Sequence, residues 1–331
     1  MATILVTGGA GYVGSHCCLA LKRAGHTPIV YDNLYNGHEQ LVKWGPFEQG
    51  DIRDRARLTE VFARHKPDAV IHCAALIEVG ESVKQPERFY DVNVSGALTL
   101  MDVMREAACN VFVFSSTCAI YGAPQRLPMD EDHPQAPVSP YGWTKLMTER
   151  ASRDIAAASG MRFAHLRYFN AAGAAPDEGI GERHEPESHA LPLALFTLLG
   201  RRDGFKIFGM DWDTRDGSCL RDYVHVLDLA DAHVRAVERL LNGGASLAAN
   251  LGTGDGVTVL ELLAAIERVT GMRVPAAPAP HRDGDAPALV ADTTLVKREL
   301  GWSPQRGIDA IIADAWKWHA EVEPRVFDER S

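Results

Sequence analysis

Residues 3–14 constrain the fold more than any other stretch of this chain. The β-rich run Thr3-Ile-Leu-Val-Thr7 passes through Gly8-Gly-Ala-Gly11-Tyr-Val-Gly14 into a helical pattern reaching Ala24. A strand, a glycine turn and a helix in that order form the context a dinucleotide fingerprint needs. Gly8 permits the tight turn, Gly11 lets the backbone approach a pyrophosphate, and Gly14 allows close helix packing. The helix N-terminus then faces the phosphates. The spacing is G-x-x-G-x-x-G, a departure from G-x-G-x-x-G, and a glycine turn without a ligand is the bland alternative.

The same alternation continues through the first half. Strands are expected at Thr27–Asp32, Ala69–His72, Val111–Ser115 and Arg162–Tyr168, with a helix at Asp54–His65 and further helical stretches between the later strands. Strands that are apolar on both faces and separated by helices imply a parallel sheet covered on both sides. The expected class is therefore α/β: a doubly wound (Rossmann) sheet, with a second, smaller α/β domain after it. Residues 1–170 are assigned to the first domain and 171–331 mainly to the second, with a return segment near 222–242. The span 174–189 is rich in Gly, Pro and charge and reads as an irregular loop.

A formal net charge of −10 argues against a nucleic-acid partner. None of the six cysteines forms a C-x-x-C pair, so free thiols in a reducing cytoplasm are expected. No apolar run approaches the roughly 18–20 residues of a membrane span, and residues 2–7 are too short for a signal peptide.

Asp32 ends the second strand, 18 residues after Gly14 (32 − 14), where a carboxylate can accept hydrogen bonds from adenosine ribose hydroxyls. It would also repel a 2′-phosphate, favouring NAD over NADP. Tyr141 and Lys145 are four apart on an expected helix, so their side chains share a face. A free tyrosine titrates near pH ~10. A neighbouring ammonium and an oxidised nicotinamide would lower that value and let the phenolate take a proton. Ser115-Ser-Thr117 at a strand end supplies a hydroxyl beside them.

These segments together resemble the extended short-chain dehydrogenase/reductases and, within them, the UDP-glucose 4-epimerase family. Val6–Ser15, Tyr31-Asp-Asn33, Gly50-Asp-Ile-Arg53, Val79-Gly-Glu-Ser82, Ser139-Pro-Tyr-Gly142, Arg167-Tyr-Phe-Asn170, Leu220–His225 and Arg282-Asp-Gly-Asp285 carry the likeness almost end to end. The resemblance implies retained NAD, a homodimer and interconversion of UDP-galactose and UDP-glucose. Tyr141 would remove the 4-hydroxyl proton while C4 gives hydride to NAD; the 4-keto sugar would rotate and be reduced from its other face. Lys145 would be the electrostatic partner and Thr117 the ligand of the reacting oxygen; Tyr141 and Lys145 would also contact the NAD, Lys145 through a ribose hydroxyl.

By the same resemblance, Tyr12, Val13, Asp32, Asn33, Leu34, Asn36 and Gly37 line the NAD beside Gly8, Gly11 and Gly14. Asp51, Ile52, Cys73, Ala74, Ala75, Asn93 and Phe169 complete that set. Asn170, His189, Lys206, Ile207, Phe208, Arg221, Arg282, Asp285 and Leu289 are expected at the UDP-sugar. Guanidinium groups at 221 and 282 suit a pyrophosphate.

Thr117 stands where serine is frequent, Ile77 where lysine is, and Leu289 at the position limiting room beside C2 of the sugar. Epimerisation of UDP-N-acetylglucosamine or of UDP-arabinose/UDP-xylose is the nearest alternative. A net dehydrogenase and a non-catalytic NAD-binding regulator are more remote. A 4,6-dehydratase would need a carboxylate after Thr117, where Cys118-Ala119 stands. Glu182, His184, Glu185, Glu187 and His189 read as a solvated acidic loop with no metal.

Overall fold

The computed structural model describes residues 1–282 and 284–327. Asp283 of the Arg282–Asp285 motif lies outside them. The first half runs β1 (Thr3–Thr7), α1 (Tyr12–Arg23), β2 (Thr27–Asp32), β3 (Phe47–Gln49), α2 (Arg55–His65) and β4 (Ala69–His72). Short helices α3 (Val79–Lys84) and α4 (Pro86–Tyr90) lead into α5 (Gly96–Glu106), β5 (Val111–Thr117), α6 (Pro140–Ser159) and β6 (Arg162–Tyr168).

Side chains alternate across β1, and this fixes what each face of the sheet covers. Ile4 and Val6 pack with Cys17, Cys18 and Leu21 of α1, whereas Leu5 faces Leu58, Val61 and Phe62 of α2 and Leu100 and Met104 of α5. Each such fully buried side chain contributes about 1.5–3 kcal/mol. Both faces are therefore closed, as a parallel sheet requires.

Beyond β6 come β7 (Asn170–Ala172), α7 (Ala190–Leu198), β8 (Phe205–Phe208), β9 (Leu220–Arg221) and β10 (Tyr223–His225). Helix α8 (Val226–Leu241) follows, starting where the His225 side chain accepts from the Leu227 amide. It buries Leu229, Val234 and Val237 in the core shared with α1. β11 (Leu247–Leu251) then joins the sheet beside β6, a strand absent from the sequence expectation. The sheet order is β11-β6-β5-β4-β1-β2-β3, all parallel. Strand order reverses between β1 and β4, and the crevice at such a reversal is where α/β sheets bind ligands.

The rest of the second half forms β12 (Val257–Thr258), α9 (Val259–Thr270), β13 (Ala276–Ala279) and β14 (Ala288–Leu289), followed by helices α10 (Thr294–Leu300), α11 (Ile308–Lys317) and α12 (Glu323–Val326). Three small sheets pair β10 with β7, β12 and β14 with β9, and β13 with β8. Their core is separate, built on Leu191, Leu195, Phe205, Ile207, Leu262 and Ile266.

Candidate active site

A cavity of about 450 Å³ opens at the carboxyl ends of β1 and β4. Its floor is the glycine turn. Gly8 has φ +72°, and a Cβ there would lie 2.6 Å from the Ala74 nitrogen; a Cβ at Gly14 would lie 2.0 Å from the Gly8 carbonyl oxygen. No side chain caps the N-terminus of α1 at Gly11, and its first turn carries no acid. Its amides are thus free to receive an anion.

At the far rim Asp32 is buried, its carboxylate accepting from the Ala10 amide at 3.1 Å and the Leu34 amide at 2.8 Å. Burial pushes its carboxyl up from the ordinary range. Gly37 has no room for a side chain, since a Cβ would lie 2.6 Å from the Asp32 carboxylate. Asn33 donates to Asp51 at 3.0 Å, and Arg53 beside Asp51 holds that carboxyl down to about 2. Uncapped amides, a cradle that a Cβ would fill and a buried carboxylate fit a dinucleotide. The residues that would hold it are the three glycines, Tyr12, Val13, Asp32, Asn33, Asn36, Gly37, Asp51, Ile52 and Cys73 to Ala75, all of which line the cavity.

Two expected cofactor residues stand apart from the cavity wall. Leu34 packs its side chain against the core and serves through its amide. Asn93 exchanges hydrogen bonds with both backbone groups of Leu76, at 2.8 and 3.0 Å, and donates to Thr144 at 3.0 Å. It ties the loop after β4 to α6.

Helix α6 is started by Ser139, whose hydroxyl accepts from the Gly142 amide, with Pro140 in the first turn. That start places Tyr141 at the cavity with Thr117 of β5. Lys145, one turn on, is buried beneath and donates to the Ser115 carbonyl at 2.9 Å. Burial lowers the ammonium to about 8. The expected depression of Tyr141 is not present in the protein alone: burial raises its phenol well above the ordinary value, with the Thr117 hydroxyl opposing. Lys145 Nζ is 5.9 Å from the Tyr141 ring centre and engaged with a carbonyl, so desolvation wins.

Phe169, expected at the NAD, also lines this cavity, and of the expected sugar-nucleotide residues Asn170 and His189 reach it. Asn170 Oδ1 is buried without a hydrogen-bond partner, an acceptor left for a ligand. The others lie on β8, β9 and β14 and in the connection from β13 to β14. Arg282 lies over the Phe208 ring at 4.5 Å and pairs with Asp285 at 2.9 Å, while Arg221 donates to the Ala286 carbonyl at 2.9 Å and sits opposite Leu289. Lys206 is exposed, and Ile207 is buried in the second core.

Two features escaped the sequence reading. Glu149, two turns beyond Tyr141 on α6, is fully buried and accepts two bonds from Arg167, at 2.9 and 2.6 Å, and one from Ser116 at 2.7 Å. The i, i+4, i+8 series Tyr141, Lys145, Glu149 was its available signal. The loop at 182–189 is also only partly solvated: Glu185, Pro186 and Ser188 are exposed, but two of its acids are not. Glu182 and Glu187 keep only 4% and 5% of their side-chain surface exposed, and both lie against His184 and His189.

Residues 4–252 match the NAD dependent epimerase/dehydratase family. The chain is 60% identical over 317 residues to a UDP-glucose 4-epimerase of Rhizobium meliloti, covering 96% of this chain and 97% of that protein. In three dimensions it is similar to a UDP-glucose 4-epimerase from Brucella ovis solved in complex with NAD. The TM-score is 0.93 at 47% identity, covering 96% of this chain and 98% of that one. A Stenotrophomonas maltophila UDP-glucose-4-epimerase with bound NAD and formylated UDP-arabinopyranose superimposes with a TM-score of 0.95 at 40% identity, covering 98% and 100%. The chain belongs to the NAD dependent epimerase/dehydratase family.

Proposed function

We propose that this chain is a UDP-glucose 4-epimerase, interconverting UDP-galactose and UDP-glucose with an NAD that stays bound. The observation that carries the reading is the meeting of Thr117 and Tyr141 at the switch-point cavity, with Lys145 buried directly behind them. Bound NAD would supply the ring that takes and returns the C4 hydrogen, and a positive charge favouring the Tyr141 phenolate.

The chain's own groups do the rest. The Tyr141 phenolate oxygen accepts the proton of the sugar 4-hydroxyl as the carbonyl forms, then returns it to the opposite configuration. Thr117 orients the reacting oxygen, and Lys145 stabilises the phenolate through space. Arg221 and Arg282 anchor the pyrophosphate by exchanging their contacts with Asp285 and the Ala286 carbonyl for phosphate oxygens. Holding UDP there leaves the sugar free to turn over. We assign the cofactor to 1–170 with the returning 222–251 segment, and the UDP-sugar mainly to the remainder.

Incubating purified protein with UDP-galactose, UDP-N-acetylgalactosamine and UDP-arabinose separately, without added NAD, tests this. Conversion of UDP-galactose to UDP-glucose is expected. No epimer of any sugar, even with NAD supplied, would remove the assignment.

A homodimer is proposed through α5 and α6, where Leu98, Trp143 and Met147 each keep about two-fifths of their surface exposed. Light scattering should give twice 36.1 kDa for the wild type. Trp143→Glu should shift the mass toward the monomer; an unchanged mass would place the interface elsewhere. We propose a cytoplasmic location, which the six free cysteines support; among the described residues no helix is long and apolar enough to cross a membrane.

A further inference from the structure

Two repeats of the pattern Glu-x-His, at Glu182/His184 and Glu187/His189, fold onto each other at one wall of the cavity. One donor atom from each of the four residues lies within 4.8 Å of the others. His189 Nδ1 is 2.8 Å from Glu182 and 2.9 Å from Glu187, while His184 Nδ1 is 3.2 Å from Glu182 and 3.7 Å from Glu187. We infer that these four side chains form a zinc site that fastens the 180–189 loop over the cavity.

Three observations carry this beyond an ion-pair cluster. Tetrahedral zinc, with bonds of about 2.0–2.2 Å, holds its ligand atoms roughly 3.3–3.6 Å apart, and His184 Nδ1 stands 3.2 Å from Glu182 Oε1 and 3.7 Å from Glu187 Oε2, close to that spacing, while Glu187 Oε1 is taken up by His189. His184 Nδ1 and Glu187 Oε2 are buried yet lack a hydrogen-bond partner, so they converge without the alignment hydrogen bonds need. The Glu187 side chain is more than nine-tenths buried, an unusual place for a free carboxylate oxygen.

Charge is balanced with either occupant. Two imidazolium groups against two carboxylates give zero, and so does one divalent ion bound by two neutral imidazoles and the same carboxylates. Zinc would therefore displace two protons. Zinc uptake should strengthen with pH, because both imidazoles must be neutral to bind the ion.

Two imidazole nitrogens and two carboxylates leave no open position, the mark of a structural site. The ion would join the loop to α7, whose N-cap is His189, and to α1 through the Tyr12 ring, 6.2 Å from the His184 ring. Only Nδ1 of His189 is used, and Nε2 stays available to the cavity.

The test uses NAD-loaded protein prepared without a histidine tag, stripped with EDTA and titrated with zinc chloride by calorimetry and thermal melting. About one zinc per chain and a raised Tm are expected. Removing a group that merely supports a metal ligand costs 10–100-fold in affinity, so His184→Ala and the near-isosteric Glu187→Gln should each weaken binding by more than about 100-fold. Absence of heat and of any Tm shift in the wild type would overturn the site. Wild-type zinc affinity in both variants would do the same, placing the metal elsewhere, for instance at the buried Cys17, Cys73 and His233 group. Because the readout is binding, either result leaves the epimerase assay independent.

Discussion

Tyr141→Phe should lower kcat by about 10²–10⁴-fold, the range that positioned acid/base groups contribute, while NAD remains in the purified protein. The ring stays and packs as before, and only the oxygen that exchanges the sugar's proton is lost. In the protein alone, burial keeps that phenol protonated, so its basicity depends on charge brought by the ligands. The check is kcat for UDP-galactose epimerisation beside the NAD released on denaturation. A variant within a few-fold of wild type would show that another group moves the proton. Loss of NAD together with activity would assign Tyr141 to holding the cofactor.

Glu149→Ala should be the most damaging single change to stability. It leaves Arg167 buried and charged, and it unpairs Ser116 and the neighbouring His165. Removing one partner of a buried pair costs about 3–5 kcal/mol, which in a chain of this size lowers Tm on the order of 10 °C. The double change Glu149→Leu with Arg167→Met should recover much of the loss, because no charge is then stranded. A single-variant loss below about 1 kcal/mol would mean that water reaches Arg167.

The same carboxylate gives a pH dependence of fixed sign. Arg167 holds Glu149 well below its ordinary value, against the effect of burial. Its contribution is therefore fully present above the unfolded glutamate value of about 4.3, and is lost as pH falls through the lower folded value. Acid unfolding of the wild type should be steeper below that point than in the double variant, as denaturant titrations at several pH values would show.

The candidate site was largely legible where chemistry follows local spacing. Gly8, Gly11 and Gly14, Asp32, and the Tyr141/Lys145 pair sit on single turns whose geometry short-range rules describe, and all were placed from the sequence. The side-chain directions of Asn93 and Ile207 are not written in local spacing, because they depend on partners far along the chain: the Leu76 backbone in one case, the second core in the other. The burial of Glu182 and Glu187 within the 182–189 loop departs from the sequence expectation for a related reason. Glutamate and histidine signal solvent when each is taken alone, and only their mutual pairing makes burial tolerable.

The sequence by itself determined the repeating strand and helix units, the glycine turn, and one helix face carrying the proton-transfer pair, because those follow from periodicity and backbone sterics within a few residues. The tertiary structure alone decided three things: β11 as the seventh strand, Glu149 locked onto Arg167 beneath the site, and two Glu-x-His segments brought into one cluster. Each joins residues through burial, and burial is a property of the packed chain that no local pattern contains.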